Sequence, residues 1–409
     1  MNLHFLFAWR YFKAKKTTNA INVISWISIV AIVFGSAALI IVLSVFNGFE
    51  GMVKSLYSSF YPDVIISPAS GKQLTFTEDQ LQRLRSVKGV QYVSLVAEEK
   101  ALLKNGESQT IITLKGVDST YTKVSAVGKH IIKGNFETGT PEAALLVLGS
   151  GVENAVGVQS DRNIFPLTVY VPRKGELSLA DPMRSLSVDT LNTAGAFFIQ
   201  QEFDNKFAIT NLQFVKNLLG MQANEYTGAE LLLEPMADAE ILEAELKQIL
   251  GPQYLVQNRF QQNASLFSVM QVEKWMIYAI LSLILVVAAF NMIGALTMLV
   301  LEKKKDISVL HSMGASRGFI KNIFLSSGVL IAVIGGGMGM LIAFIIGWAQ
   351  TKYHLIPLQG NTFMIDYFPV KMVYTDFILV GITVFVIAMI ASYIPAGKAA
   401  KQQFLLRSE

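Results

Sequence analysis

Stretches without a single charge alternate along this chain with stretches patterned for water. Trp275 to Leu301 (WMIYAILSLILVVAAFNMIGALTMLVL) holds 27 uncharged residues. At ~1.5 Å per residue such a helix measures about 40 Å, against a hydrocarbon core of about 30 Å, so it tilts or protrudes. Three more uncharged runs occupy Thr17 to Phe49, the interval between Lys321 and Lys352, and Phe377 to Gly397. A secretory signal has an apolar region of only about 7 to 15 residues and a small-residue cleavage site; the first run is about twice as long and has no clear site, which predicts a retained anchor. The pattern predicts spans over 19–46, 272–301, 321–350 and 376–397.

Two of these spans continue past the membrane edge. Val45, Phe49, Met52, Val53, Leu56 and Phe60 recur at helical spacing among Glu50, Lys54 and Ser58, which predicts an amphipathic stalk ending at Tyr61 and Pro62. Phe260 to Gln271 is amphipathic as well and leads into Trp275 without a breaker. Seven side chains, Phe46, Phe49, Met52, Leu56, Leu266, Phe267 and Met270, thus stand just outside the bilayer and must bury against something. Either they pack on each other, or two protomers bring four stalks together around an apolar cavity.

Between the stalks, 63–258 carries α+β signals. Thr77 and Gln80 fit a capping box for a helix through Val87, and Asn105-Gly106 marks a tight hairpin between strands near Tyr92 to Leu103 and Ser108 to Val117. Further strands are expected at Ala143 to Leu148, Phe165 to Val171 and Ala229 to Leu233, and a helix from Asp238 to Leu250, stopped by Gly251 and Pro252. Two small subdomains fit this length. Region 47–271, stalks included, is the large insertion between the first and second spans.

After the second span the chain reads EKKKDISVLHSMGASR. Glu302 and Asp306 stand a turn apart, Lys303 to Lys305 are basic, and Ile307, Val309, Leu310 and Met313 are apolar before Gly314. This predicts a short helix with a glycine stop inside a connector, 302–320, longer than two spans need. It is either a snorkelling, positively charged loop or a docking helix for a cytoplasmic partner. In the third span Gly335, Gly339, Ala343 and Gly347 recur every four residues, a stripe for close helix packing.

Charge fixes the orientation. Basic residues near span ends number four at the N-terminus, five between Glu302 and Lys321 and three in the tail, against Lys352 and Lys371 in the loop 351–375. Both termini and the 302–320 connector are therefore expected inside, with 1–18 an interfacial helix on the cytoplasmic leaflet and 398–409 a cytoplasmic tail. Composition agrees: 52% of residues are hydrophobic and 16% charged, values of a membrane protein. The segment from Phe46 to Gln271 is net −5 and the remainder +9, which argues against a nucleic-acid partner. The chain has no cysteine, which excludes disulfides, thiolate metal sites, a cysteine nucleophile and lipidation on cysteine.

Catalytic chemistry is not in view. No GxxxxGK[ST] occurs, so no P-loop binds ATP in this chain. His4, His130, His311 and His354 are far apart and no metal site is expected. Asn291 in the second span is either a translocation residue or an interhelical hydrogen-bonding group. The stretch VPRKGELSLADPMRS, Val171 to Ser185, is bracketed by strands and carries Arg173, Lys174, Pro182 and Arg184. On its residues alone it is a long hairpin loop.

AAFNMIGALTMLVLEKKKDISVLHSMGAS and ISWISIVAIVFGSAALIIVLSVFNGFE resemble the second span with coupling helix, and the first span, of FtsX/MacB-type ABC permeases, most closely the lipoprotein-releasing LolC/LolE family. The resemblance covers nearly the whole chain. At its end the chain keeps Pro395, Ala396, Ala399 and Ala400 of the family pattern but lacks a later proline. The resemblance implies an integral membrane α-helical protein with four transmembrane helices and a large MacB-like α+β extracytoplasmic domain between the first and second, in the inner membrane. It implies that Glu302, Lys305, Asp306, Leu310, Met313 and Gly314 dock on a separate LolD-like ATPase that binds ATP and Mg, so that this chain is no enzyme and holds no cofactor. It further implies a second permease protomer, lipoprotein as substrate, and a LolA-like periplasmic carrier engaged by the loop carrying Arg173, Lys174, Pro182 and Arg184. The other functions on this architecture are an FtsX-like mechanotransmitter regulating a periplasmic enzyme and a MacB-like efflux permease.

Overall fold

The computed structural model describes residues 3–13, 19–162, 166–172, 186–358 and 367–401. The chain divides into a helical unit, formed by residues up to Met52 and from Ser268 onward, and an α+β unit, Val53–Phe267.

Among the described residues, four helices are long and apolar enough to cross a membrane: Asn19–Phe60, Ala264–Glu302, Arg317–Tyr353 and Tyr374–Ala400, here the first to fourth long helices. Their shared core includes Ile32, Leu39 and Leu43 of the first, Leu285, Met292 and Leu296 of the second, Phe324 and Ile331 of the third, and Val384 and Ala388 of the fourth. The small residues of the third helix set its approach to the first. A Cβ on Gly335 would stand 2.9 Å from Ile32, and one on Gly339 would stand 2.6 Å from the Val33 carbonyl. Three serine hydroxyls inside the bundle turn back onto their own helix, which satisfies them without a neighbour: Ser36 donates to the Ile32 carbonyl, Ser327 to Ile323 and Ser392 to Ala388. The N-terminal helix Leu3–Lys13 lies on the start of the third, with His4 and Phe7 against Phe319 and Tyr11 against Phe324.

In the α+β unit the strands are β1 (Val64–Pro68), β2 (Leu74–Thr75), β3 (Val90–Asn105), β4 (Ser108–Val117), β5 (Ile131–Gly134), β6 (Leu145–Gly149), β7 (Leu167–Pro172), β8 (Leu186–Phe197), β9 (Phe207–Asn211), β10 (Glu225–Tyr226), β11 (Gly228–Leu233) and β12 (Tyr254–Asn258). The main sheet runs β12-β1-β11-β3-β4-β9-β6-β8-β5, and β7 pairs with both β3 and β8. Hydrogen bonding therefore closes into a ring, β3-β4-β9-β6-β8-β7. Its core is Leu103, Leu114, Leu146, Val169 and Leu191, covered by the helices Ser150–Val156 and Leu212–Leu219.

One continuous sheet runs through this unit and links two separate hydrophobic cores. The 16-residue β3 causes this: Val90 to Val96 pair with β11, Val96 to Asn105 pair with β4, and Leu102 to Lys104 pair with β7. One strand thus belongs both to the ring and to the second core, where Leu84, Leu95, Leu231 and Leu246 meet under helices Glu78–Ser86 and Ala239–Leu250. Both hydrogen bonds of the Thr77–Gln80 capping box are present, and Asp238 caps its helix. Gly106 takes φ +58 in the β3–β4 turn. The segment Phe260 to Gln271 is not one helix: a short turn, Arg259–Gln262, breaks at Asn263 before Ala264 starts the second long helix.

Candidate functional site

The connector after the second long helix breaks at Lys303 and re-forms as the helix Lys304–Ser312. Gly314, at φ +89, ends it, and the Ala315 amide returns to the Leu310 carbonyl, the left-handed stop that glycine permits. Ile307 is buried in the bundle core and anchors this helix there. Lys305 and Asp306 are exposed, and Lys303 reaches Asp306 at 3.6 Å. Leu310 is half-buried, whereas Met313 is 79% and Val309 58% exposed. The outward apolar pair is therefore Val309 and Met313, one turn apart, with Leu310 turned partly inward. Val309 was absent from the expected docking set; its i,i+4 spacing from Met313 is the signal that identifies it.

At the other end of the bundle, the NGFE stretch of the first long helix is tied to the lead-in of the fourth. The Lys371 amide donates to the Ser44 carbonyl at 2.9 Å, Gly48 lies against Pro369, and the Phe49 and Phe368 rings meet edge to face at 5.9 Å. Asn47 donates to the buried Asp376 carboxylate and accepts from Lys274 Nζ at 2.7 Å. Buried Gln350 of the third helix donates to the Ile356 and Phe368 carbonyls and accepts from the Ile356 amide. The NGFE motif is legible in the sequence but this role is not, because its partners Lys274 and Asp376 lie 227 and 329 residues from Asn47 and are brought to it only by the fold.

The seven side chains expected at the stalks divide between the units. Phe46, Phe49, Met52 and Met270 belong to the helical unit, with Phe46, Phe49 and Met270 half-buried and Met52 buried. Leu56, Leu266 and Phe267 belong to the α+β unit. There Leu56 and Leu266 pack on an aromatic cluster, and Phe267 meets Phe260 at 5.2 Å and Tyr57 at 6.4 Å. Packing between the two chain segments thus accounts for these three. In the same cluster Phe60 stacks on Phe203, centroids 4.6 Å apart, with Phe207 at 4.5 Å.

Beside Phe60 the buried Lys115 ammonium binds Glu230 and, at 2.8 Å, Glu98. Burial opposes its charge, but the two carboxylates outweigh burial and hold Lys115 well above the usual lysine range. Arg173, Lys174, Pro182 and Arg184 lie outside the described residues; the flanking Pro172 and Leu186 pair across β7 and β8. Asn291 is exposed on the second long helix. His354 stacks on Tyr367 at 3.7 Å, and burial together with Lys129 lowers His130.

Residues 278–404 match the FtsX-like permease C-terminal family, and residues 25–169 match the MacB-like periplasmic core domain. The chain therefore carries an FtsX-like permease C-terminal region and a MacB-like periplasmic core domain. It is 27% identical to the lipoprotein-releasing system transmembrane protein LolE of Haemophilus influenzae, over 98% of each chain. It is 28% identical to LolC of Neisseria meningitidis over 97% of each, and 25% identical to LolC of Xylella fastidiosa over 96% of this chain and 95% of that one. The resemblance carried by Ile24 to Glu50 and Ala288 to Ser316 thus extends over nearly the whole length of these LolC and LolE relatives.

Proposed function

We propose that the chain is the permease subunit of an ABC transporter that extracts lipoproteins from the inner membrane and passes them to a soluble periplasmic carrier. The observation that carries this reading is similarity to LolE and LolC over nearly the full length of both partners, which spans the bundle, the helix Lys304–Ser312 and the α+β unit together. In this reading both termini and that helix face the cytoplasm, and the α+β domain, inserted between the first and second spans, faces the periplasm. A LolD-like ATPase that binds ATP and Mg docks on Lys305, Asp306, Val309 and Met313 and drives the bundle mechanically. This chain contributes no catalytic residue. A second permease protomer completes the transporter.

Lipoprotein acyl chains leave the bilayer only if comparable apolar surface receives them, since each CH₂ is worth about 0.8 kcal/mol. Phe46, Phe49 and Met270, half-buried at the outer ends of the first and second spans, are the side chains best suited to begin that surface. The loop with Arg173, Lys174, Pro182 and Arg184 is assigned to the LolA-like carrier. The test is reconstitution: proteoliposomes holding this chain, its ATPase and a triacylated lipoprotein should transfer the lipoprotein to soluble carrier when ATP is added. Rapid ATP hydrolysis with no transfer would overturn the release reading and favour the mechanotransmitter.

A further inference from the structure

The release reading leaves open where the outer end of the bundle parts, and the inference here rests on that reading. We propose that Lys274 and Tyr278 form a two-point latch holding the second long helix to a permanently joined pair made by the first and fourth, so that opening separates the second helix from that pair. The two kinds of joint differ in chemistry. The first helix meets the lead-in of the fourth through backbone and rings: Ser44 with Lys371, Gly48 with Pro369, and Phe49 with Phe368. The side-chain hydrogen bond from Asn47 of the first helix to Asp376 of the fourth joins two residues that are each 5% exposed. Breaking it strands a buried carboxylate, which is strongly unfavourable.

The second helix is held differently. Lys274 Nζ donates to Asn47 Oδ1 at 2.7 Å, and the Tyr278 hydroxyl hydrogen-bonds Thr383 of the fourth helix. Positions 274 and 278 are one turn apart on one helix face. Both are polar tips of long side chains, both residues are only half-buried, and both groups can be rehydrated when released. The Asn47 amide is a neutral spacer whose oxygen faces the ammonium and whose NH₂ faces the carboxylate, so release of Lys274 leaves the Asn47–Asp376 bond intact. About 16 Å further in, at ~1.5 Å per residue, Leu285 meets Gly35 so closely that a Cβ there would stand 2.7 Å from it. That close contact is the pivot. Lys274 and Tyr278 are positioning residues in this scheme; neither touches cargo.

The chain has no cysteine, so spin labels can be placed at will in the full-length chain assembled with its ATPase. One pair goes at positions 42 and 276 on the first and second helices, another at 42 and 378 on the first and fourth; Val42, Met276 and Ile378 are all exposed. Lys274→Met with Tyr278→Phe keeps the apolar bodies and removes both polar tips. The 42–276 distance should lengthen and broaden while the 42–378 distance stays as in the parent, and Lys274→Arg with Tyr278 retained should keep the parent 42–276 distribution. An unchanged 42–276 distance, or equal lengthening of both pairs, would overturn the latch. A lengthened 42–276 distance in a transporter whose parent form releases no lipoprotein would reject the release reading and leave the latch standing.

Discussion

Gly48 and Pro369 meet backbone to backbone: a Cβ at position 48 would stand 2.1 Å from the Pro369 carbonyl oxygen and 2.8 Å from the Val370 nitrogen. A helical glycine ordinarily weakens its helix, yet here it permits the approach that seats Asn47 against Asp376. Gly48→Ala should therefore destabilise the detergent-solubilised protein by about 1–3 kcal/mol through overpacking. Gly294→Ala, where nothing lies within 4 Å, should be neutral or stabilising by about 0.5–1 kcal/mol. Thermal unfolding of the two variants side by side checks this; equal effects would contradict the contact role of Gly48.

The exposed pair on the helix Lys304–Ser312 leads to a second expectation. Val309→Asp with Met313→Asp should abolish co-purification of the ATPase and leave the yield of folded permease unchanged. Ile307→Asp should instead lower that yield, because Ile307 is buried in the bundle. Retention of the ATPase by the Val309/Met313 variant would remove this face from the docking surface.

The long helices were legible because absence of charge over about 20 residues is a local property that needs no partner to be read. Gly314 likewise announced the stop of the short helix after the second. What could not be read was anything depending on distant pairing. Asn47 was visible only as part of a motif, since Asp376 and Lys274 are brought to it by the fold. Strands β1, β9 and β12 were not foreseen, and closure of the ring through β7 depends on register, which local periodicity does not fix. Ile307, Val309, Leu310 and Met313 were correctly grouped as apolar; which of them point outward is decided by packing of Ile307 into the bundle. The stalk residues show the same limit, because Leu56, Leu266 and Phe267 find aromatic neighbours within their own unit.

Asp204 gives the α+β unit a pH dependence. Burial raises its carboxyl to about 6, against the opposing effect of hydrogen bonds from the Ile199 and Gln200 amides. A carboxyl with a folded pKa above its unfolded value, about 3.9, favours folding when protonated, so its stabilising protonation is fully present below about pH 4 and is lost as pH rises through about 6. Asp204→Asn keeps an acceptor for the Ile199 amide and removes the titration. Denaturant unfolding of parent and variant between pH 4 and 7 should show the parent losing stability relative to the variant as pH rises; parallel curves would contradict the assignment.

Orientation is tested at Gly106 in the β3–β4 turn, where the site is exposed and a Cβ meets nothing within 4 Å. A single cysteine there, in a chain that otherwise has none, should react with an impermeant maleimide from the periplasmic side. Labelling only from the cytoplasmic side would invert the topology proposed above.

Photo-crosslinking reads directly whether acyl chains pass between the outer ends of the first and second spans. Photoreactive residues at positions 49 and 270 of the assembled transporter should capture lipoprotein in the absence of ATP and lose it when ATP is added. Capture confined to positions on the α+β unit, with none at 49 or 270 under either condition, would contradict the account.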